Sequence, residues 1–372
     1  MVRRLAHTLI ALAIVLLLVA GVLVRASSNH LFAGLPDLAL LIGLLGGGVA
    51  VVGENLTPAT SAIPPSQPSP RNSVQPEVAR RRKQTRRLRP SSNSGRGRGW
   101  GQKLLPLRRL SIISVVWLIG MAGALIGMFD ADLRVLIAFP VTTLALLYWL
   151  MTRFASVQRI WLTLSLQVTV GLVAVAGGCL YLAGESALGA LAIPLCLLIV
   201  AAHSYHAFSN QNGSRTLAAH WAALTVLLWI GVGLLGGIAT FPEIYPTVRD
   251  TLIPDVIRDW LRAATLAIIL GMGNQVTADM RGENRRITGL SAYWLIAFGV
   301  IVGGILRLCA GTAQAYLVSL YGLEPLAVHD NQLAPLLIIA GTFDLAALLG
   351  MAIYAVQFWV RRPRISDSGE PK

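Results

Sequence analysis

Charge is what this sequence has least of. Asp, Glu, Lys and Arg make up 13% of its 372 residues, about half the roughly 25% of an ordinary soluble domain. That scarcity excludes a fold whose whole surface faces water. Cysteine is nearly absent too. Cys179, Cys196 and Cys309 form no CxxC and have no His at zinc-ligand spacing, which argues against a disulfide framework or a zinc ribbon; the three read as small packing residues. No GxGxxG follows a strand pattern, and no P-loop, HExxH or GxSxG occurs, so nucleotide-dependent and hydrolytic chemistry lack a motif. No convincing internal repeat of the inverted transporter kind is present.

What is there is apolar. Hydrophobic residues make up 55% of the chain and the mean hydropathy is +0.65. Apolar stretches of about 18 residues or more, enough to cross roughly 30 Å of hydrocarbon, recur along its length. Lipid offers backbone groups no partner, so such stretches are expected to be helices. Ten candidate spans follow, at 5–24, 35–53, 110–128, 133–151, 160–183, 186–205, 217–240, 260–276, 288–310 and 333–359. The expected fold is an all-α, multi-pass integral protein of the cell (inner) membrane with about ten transmembrane helices. The eighth span is the weakest: it is short, begins near Arg262 and runs into the polar Asn274 and Gln275. It is expected to be tilted, broken or shielded by its neighbours. Met1 to Val24 has the outline of a signal sequence, but its apolar run is long and a second hydrophobic segment follows at once, so an uncleaved first helix is the preferred reading.

The positive-inside rule tests this count independently, because one helix too many would invert every later loop. With both termini in the cytoplasm, alternation places 25 of the 31 Lys and Arg inside, five (Arg25, Arg134, Arg249, Arg258, Arg262) outside, and Arg307 within a helix. Ten acidic residues face outward. The division that follows is an N-terminal hairpin (1–53), a Pro- and Arg-rich cytoplasmic linker expected to be disordered (54–108), an eight-helix body (109–360) and a cytoplasmic tail (361–372). Two outer segments look partly ordered: 241–260, with Tyr245 and Trp260 as interface anchors, and 312–333, with Tyr316 and Tyr321.

The linker carries Arg80, Arg81, Arg82, Lys83, Arg86, Arg87 and Arg89. This run reads first as a topogenic clamp; it could also bind anionic lipid headgroups, at about 1 kcal/mol per charge, or recruit a protein partner. No aromatics are interleaved with it, which argues against single-stranded nucleic acid. Arg307 and Asp344 fall inside apolar helices. A carboxylate at mid-membrane should face the bundle interior and find a partner, so a pair between the two is expected, either as a fixed strut or as part of a proton, ion or cofactor site. Among the six histidines, His203, His206 and His220 cluster at the cytoplasmic face and are the candidate metal or haem ligands; loop capping is the plainer alternative. His30 and His329, both outside beside acidic residues, are a weaker pair. GxxxG spacings at Gly43/Gly47, Gly123/Gly127, Gly233/Gly237 and Gly299/Gly303 predict close helix packing.

Two stretches carry a family resemblance. Leu217, Ala218, Ala219, His220 and Trp221, followed by the Gly231–Gly237 helix, resemble a helix start in catalytic subunits of C-family haem-copper oxidases. The segment 261–308, with its Thr265–Gly273 helix, basic loop Arg281–Arg286 and a helix ending around Arg307, resembles NnrS-type haem and copper membrane proteins. The resemblance implies an accessory protein in respiratory, nitrogen-oxide or metal metabolism. It would make haem or copper the cofactor, yet the body holds no histidine well inside a span, and only His220 and Arg307 carry over. Two other readings stand beside it: a small-molecule or ion transporter built on Asp344 and Arg307, and an assembly subunit recruiting a partner through its linker. No activity as an enzyme is expected.

Overall fold

The computed structural model describes residues 2–26, 34–56, 101–127, 130, 133–154, 159–182, 187–209, 216–239, 241, 243–281, 290–322 and 332–360. Among them the chain is helical, with no strand. In order come α1 (Val2–Ala26), α2 (Leu35–Leu56), α3 (Gly101–Ile126) and a π-helical turn, Leu133–Ala138, that runs straight into α4 (Phe139–Phe154). Then follow α5 (Arg159–Leu182), α6 (Ala187–Ser209), α7 (Leu217–Ala239), the short α8 (Tyr245–Val248), α9 (Ile253–Arg281), α10 (Leu290–Tyr321) and α11 (Ala334–Val360). A helix stands at each of the ten expected positions. Among the described residues, six are long and apolar enough to cross a membrane: α1, α2, the π turn with α4, α7, α10 and α11.

Three boundaries differ from the sequence reading. α3 begins at Gly101, inside the segment assigned to the linker, and carries Pro106 in its second turn. α10 runs on to Tyr321, so much of the expected outer loop 312–333 is helix and Arg307 lies near the middle of α10 rather than at its end. α9 is 29 residues long, about 43 Å at 1.5 Å per residue, and is neither short nor broken. The basic run Arg80–Arg89 lies outside the described residues.

α9 is the hub. It packs against α1, α2, α4, α7 and α10, and Ala264, Ala267, Ile268, Ile269, Leu270 and Met272 have essentially no exposed surface. α4 is buried with it, Leu144 through Met151 being fully enclosed. At the periphery, Ile338, Leu345, Leu349 and Val356 of α11 are exposed, as lipid-facing positions would be. The hairpin α1–α2 is not set apart from the body: its Ile10, Ile14, Leu40 and Leu44 share one continuous core with α3, α4, α7, α9, α10 and α11.

Glycines set the approach of the helices that matter for the site. A Cβ at Gly43 would meet Ile269 and one at Gly47 would meet Leu146 and Met272, so α2 lies close along α9 in parallel register. A Cβ at Gly299 would collide with the Phe343 carbonyl oxygen and with Ala347, and one at Gly350 with Ile296; α10 and α11 are therefore pressed together antiparallel. Between α4 and α9 the hydroxyls of Thr143 and Thr265 are bonded at 3.1 Å.

Candidate functional site

These close approaches bring six charged side chains from five elements into one chain of contacts. Asp37 stands in the first turn of α2, where unpaired backbone N–H groups and the helix dipole favour a carboxylate. It is buried, 4% exposed in its side chain. Arg262 of α9 donates to it through Nε at 2.8 Å and Nη2 at 3.4 Å. Arg134, carried by the π turn, donates through Nη2 at 2.7 Å and also reaches the Gly127 carbonyl at 3.2 Å. Arg262 lies 3.5 Å from Asp259, one turn back on α9. Arg307 of α10 donates through Nη1 to Asp259 at 3.4 Å and through Nη2 to Asp344 of α11.

The order is thus Arg134, Asp37, Arg262, Asp259, Arg307, Asp344, with signs alternating at every step. Three guanidinium and three carboxylate charges cancel. Alternation gives each charge an opposite neighbour, which for the buried Asp37 is the condition for holding an ion away from water.

The last four members line a partly open cavity of about 330 Å³ between α1, α2, α9, α10 and α11. The rest of its wall is mostly apolar, including Leu17 and Gly21 of α1, Leu266 of α9, and Leu348 and Met351 of α11. Trp260 belongs to the same wall. It was expected at the membrane interface, but it is buried, because its ring lies over Gly231 of α7 on one side and Gly304 of α10 on the other. Only a residue without a Cβ leaves room for an indole there. Gly304 and Arg307 are one helical turn apart on α10, so Trp260 and the charged chain share one end of the cavity.

The other residues singled out in the sequence lie elsewhere. Asn274 bonds back to the Leu270 carbonyl at 3.1 Å, and Gln275 donates to Asp279 at 2.8 Å; both belong to the far end of α9. His203 and His220 each bond, through Nδ1, to the carbonyl four residues earlier in the chain, at 2.8 and 2.9 Å. Their rings face different tyrosines, Tyr148 and Tyr293. The side chain of His206 is outside the described residues, and among the described residues no three His, Cys, Asp or Glu side chains gather as a metal would require. Cys196 is buried, whereas Cys309 is exposed and does not pack as expected.

Sequence reasoning missed Asp37, Arg134, Asp259, Arg262 and Trp260 as members of one site. All five stand at or beyond the ends of apolar runs, where charged and aromatic residues read as loop or interface features. The one available signal was that Arg134 and Arg262 are two of the five exceptions to the inside placement of positive charge. No protein-family model and no curated protein matches the chain.

Proposed function

We propose that this is a multi-pass protein of the cell (inner) membrane, crossing ten times with both termini inside, that binds a small solute in the Asp259–Asp344 cavity and moves it across the bilayer. The topology rests on the distribution of Lys and Arg along the sequence and on a helix at every expected position. It makes the Asp37 end of the bundle the outer one. Helices α3, α5, α6 and α9 complete the count in this reading, α9 being kept from lipid by its neighbours.

One observation carries the transport reading: ionised side chains line a cavity whose other walls are apolar. Charges inside a membrane domain are costly and concentrate along substrate or ion paths. Concave, mostly apolar sites with a few convergent polar groups, of about 300–1,000 Å³, are the usual form of a small-molecule site. A sealed strut would leave no such space beside Asp344. An accessory role next to haem or copper, which the NnrS-type resemblance implies, draws on no comparable cluster of ligating side chains among the described residues.

The test is uptake by proteoliposomes of a panel of radiolabelled small organic anions and cations, comparing the wild-type chain with Asp344→Asn. At least one solute should accumulate with wild type, and because Asp344→Asn removes a carboxylate charge from the cavity wall, its uptake should fall about tenfold or more in the variant. Equal uptake of every accumulated solute by a folded Asp344→Asn would overturn the reading.

A further inference from the structure

Resting on the transport reading, we infer that the cavity takes an organic cation, its protonated amine held by Asp259 and its apolar body lying along α1 and α11.

The inference begins with how unevenly the chain of charges is joined. Asp37 accepts from Arg134 at 2.7 Å and from Arg262 at 2.8 Å, and Asp344 accepts from Arg307; hydrogen bonds between ionised groups run at about 2.7–2.9 Å. Asp259 is the exception. Its Oδ1 lies 3.5 Å from Arg262 and its Oδ2 lies 3.4 Å from Arg307. Its side chain is 45% exposed, against 4% for Asp37 and 23% for Asp344. The charges of the chain cancel in number, yet Asp259 stands further off from both of its guanidiniums than Asp37 does from its own, and each guanidinium beside it is bonded to another carboxylate as well.

Asp259 lines the cavity. An ionised carboxylate accepts at about four lone-pair positions, and the contacts to Arg262 and Arg307 draw on one position of each oxygen. An ammonium group entering the cavity finds the remaining acceptors, and engaging them leaves Arg262 on Asp37 and Arg307 on Asp344. Both guanidiniums keep a carboxylate. An anion has no comparable place: Arg262 or Arg307 would have to hold it, and the position between those two is filled by Asp259 itself, so the anion would lie against a like charge.

The remaining wall defines the rest of the ligand. Leu17, Leu40, Leu266, Val300, Leu348 and Met351 offer only apolar contact, which suits a hydrocarbon body and not a hydrated inorganic ion. A metal ion would also need more ligands than are brought together, since among the described residues no three His, Cys, Asp or Glu side chains gather.

The test uses the full chain in lipid nanodiscs and measures saturable binding of radiolabelled octylamine above that of empty nanodiscs, with octanoate and octanol as competitors. The amine should bind. Octanoate and octanol keep the alkyl body and lose the cationic head, so they should compete only at concentrations about tenfold higher or more, the loss expected for a missing charge-assisted hydrogen bond. Asp259→Asn keeps the shape of the side chain and leaves each guanidinium its other carboxylate. It should weaken amine binding about tenfold while eluting as a folded species, and the margin of the amine over octanol should shrink with it. If that variant does not fold, the competition in wild type alone decides. Unchanged amine binding in a folded Asp259→Asn, equal competition by octanoate or octanol in wild type, or the absence of saturable amine binding would overturn the inference. The two readings fail separately. Wild-type uptake of an anionic or uncharged solute alone, lost in Asp344→Asn, would leave transport standing without the cationic ligand. Asp259-dependent amine binding without any uptake would leave the site standing without transport.

Discussion

At the Asp37 end of the bundle the helices are joined by alternating guanidinium and carboxylate groups beside a cavity; at the opposite end they are joined by stacked and edge-on rings. His7 of α1 stacks on Phe358 of α11 with centroids 4.4 Å apart and planes 12° from parallel. Phe358 stacks on Tyr354 at 5.9 Å, and Tyr354 meets Trp221 of α7 edge-on at 5.9 Å. Trp221 meets Tyr293 of α10 at 5.0 Å, and Tyr293 meets His220 at 5.5 Å. The Tyr354 hydroxyl donates to the Leu270 carbonyl at 2.8 Å and so ties the ring cluster to α9. Trp221, like Trp260, has a buried N–H with no acceptor among the described residues.

The contrast separates two jobs. Ring contacts hold by area and tolerate small shifts, which suits a fixed joint between α1, α7, α10 and α11. Ion pairs are directional, and a pair beside a cavity can exchange one partner for another. α10 and α11 take part in both, meeting their neighbours through rings at one end and through ion pairs at the other.

The sharpest way to break this comparison is to remove a shared carboxylate. Asp37→Ala leaves Arg134 and Arg262 facing each other without their common partner, and should destabilise the protein by about 3–5 kcal/mol, read as a lowered unfolding midpoint in mild detergent. A fall no larger than that of an exposed substitution such as Asp250→Ala would show that the charged end is not a structural joint. Next in size, Gly299→Ala places a methyl against the Phe343 carbonyl oxygen and Ala347. It should cost about 1–3 kcal/mol through overpacking and reduce solute uptake, because α10 and α11 carry Arg307 and Asp344. At the ring end, Tyr354→Phe removes one hydrogen bond and keeps the ring. A loss of about 0.5–1.5 kcal/mol is expected, with uptake unchanged; altered uptake would show that the two ends are coupled. The smallest effect is expected for Thr143→Val, which deletes half of the hydroxyl pair with Thr265, at about 0.6 kcal/mol, the average for such bonds within membranes.

How much of this was legible beforehand follows from where each residue sits in its apolar run. The helices could be read because lipid leaves a spanning backbone no alternative and because their lengths are set by the bilayer. Arg307 and Asp344 stood out because charges within long apolar runs are few, and the structure sets them side by side. Asp37, Arg134 and Arg262 did not stand out: each is a run-end charge of the kind that normally faces water, and its partner is distant in sequence. What joins them is the parallel packing of α2 on α9 through Gly43 and Gly47, and GxxxG spacing gives closeness without naming the partner helix. Trp260 was misplaced for the same reason. The glycines that enclose it, Gly231 and Gly304, belong to helices whose arrangement around α9 no single segment encodes. The length of α9 was hidden by its own charges, which shorten the apolar window although the helix continues through them.

In the proposed topology the Asp37 end faces outward and the cavity is reached from there. Single cysteines at Ala347, on the cavity wall, and at Asn284, in the loop that the charge distribution of the sequence assigns to the inside, each in a chain whose Cys179, Cys196 and Cys309 are replaced, test it most directly. A small membrane-impermeant thiol reagent applied to intact cells should modify the cysteine at 347 and leave the one at 284 untouched until the cells are opened. Modification at 284 from outside, or protection at 347 from outside together with reaction after lysis, would contradict the account.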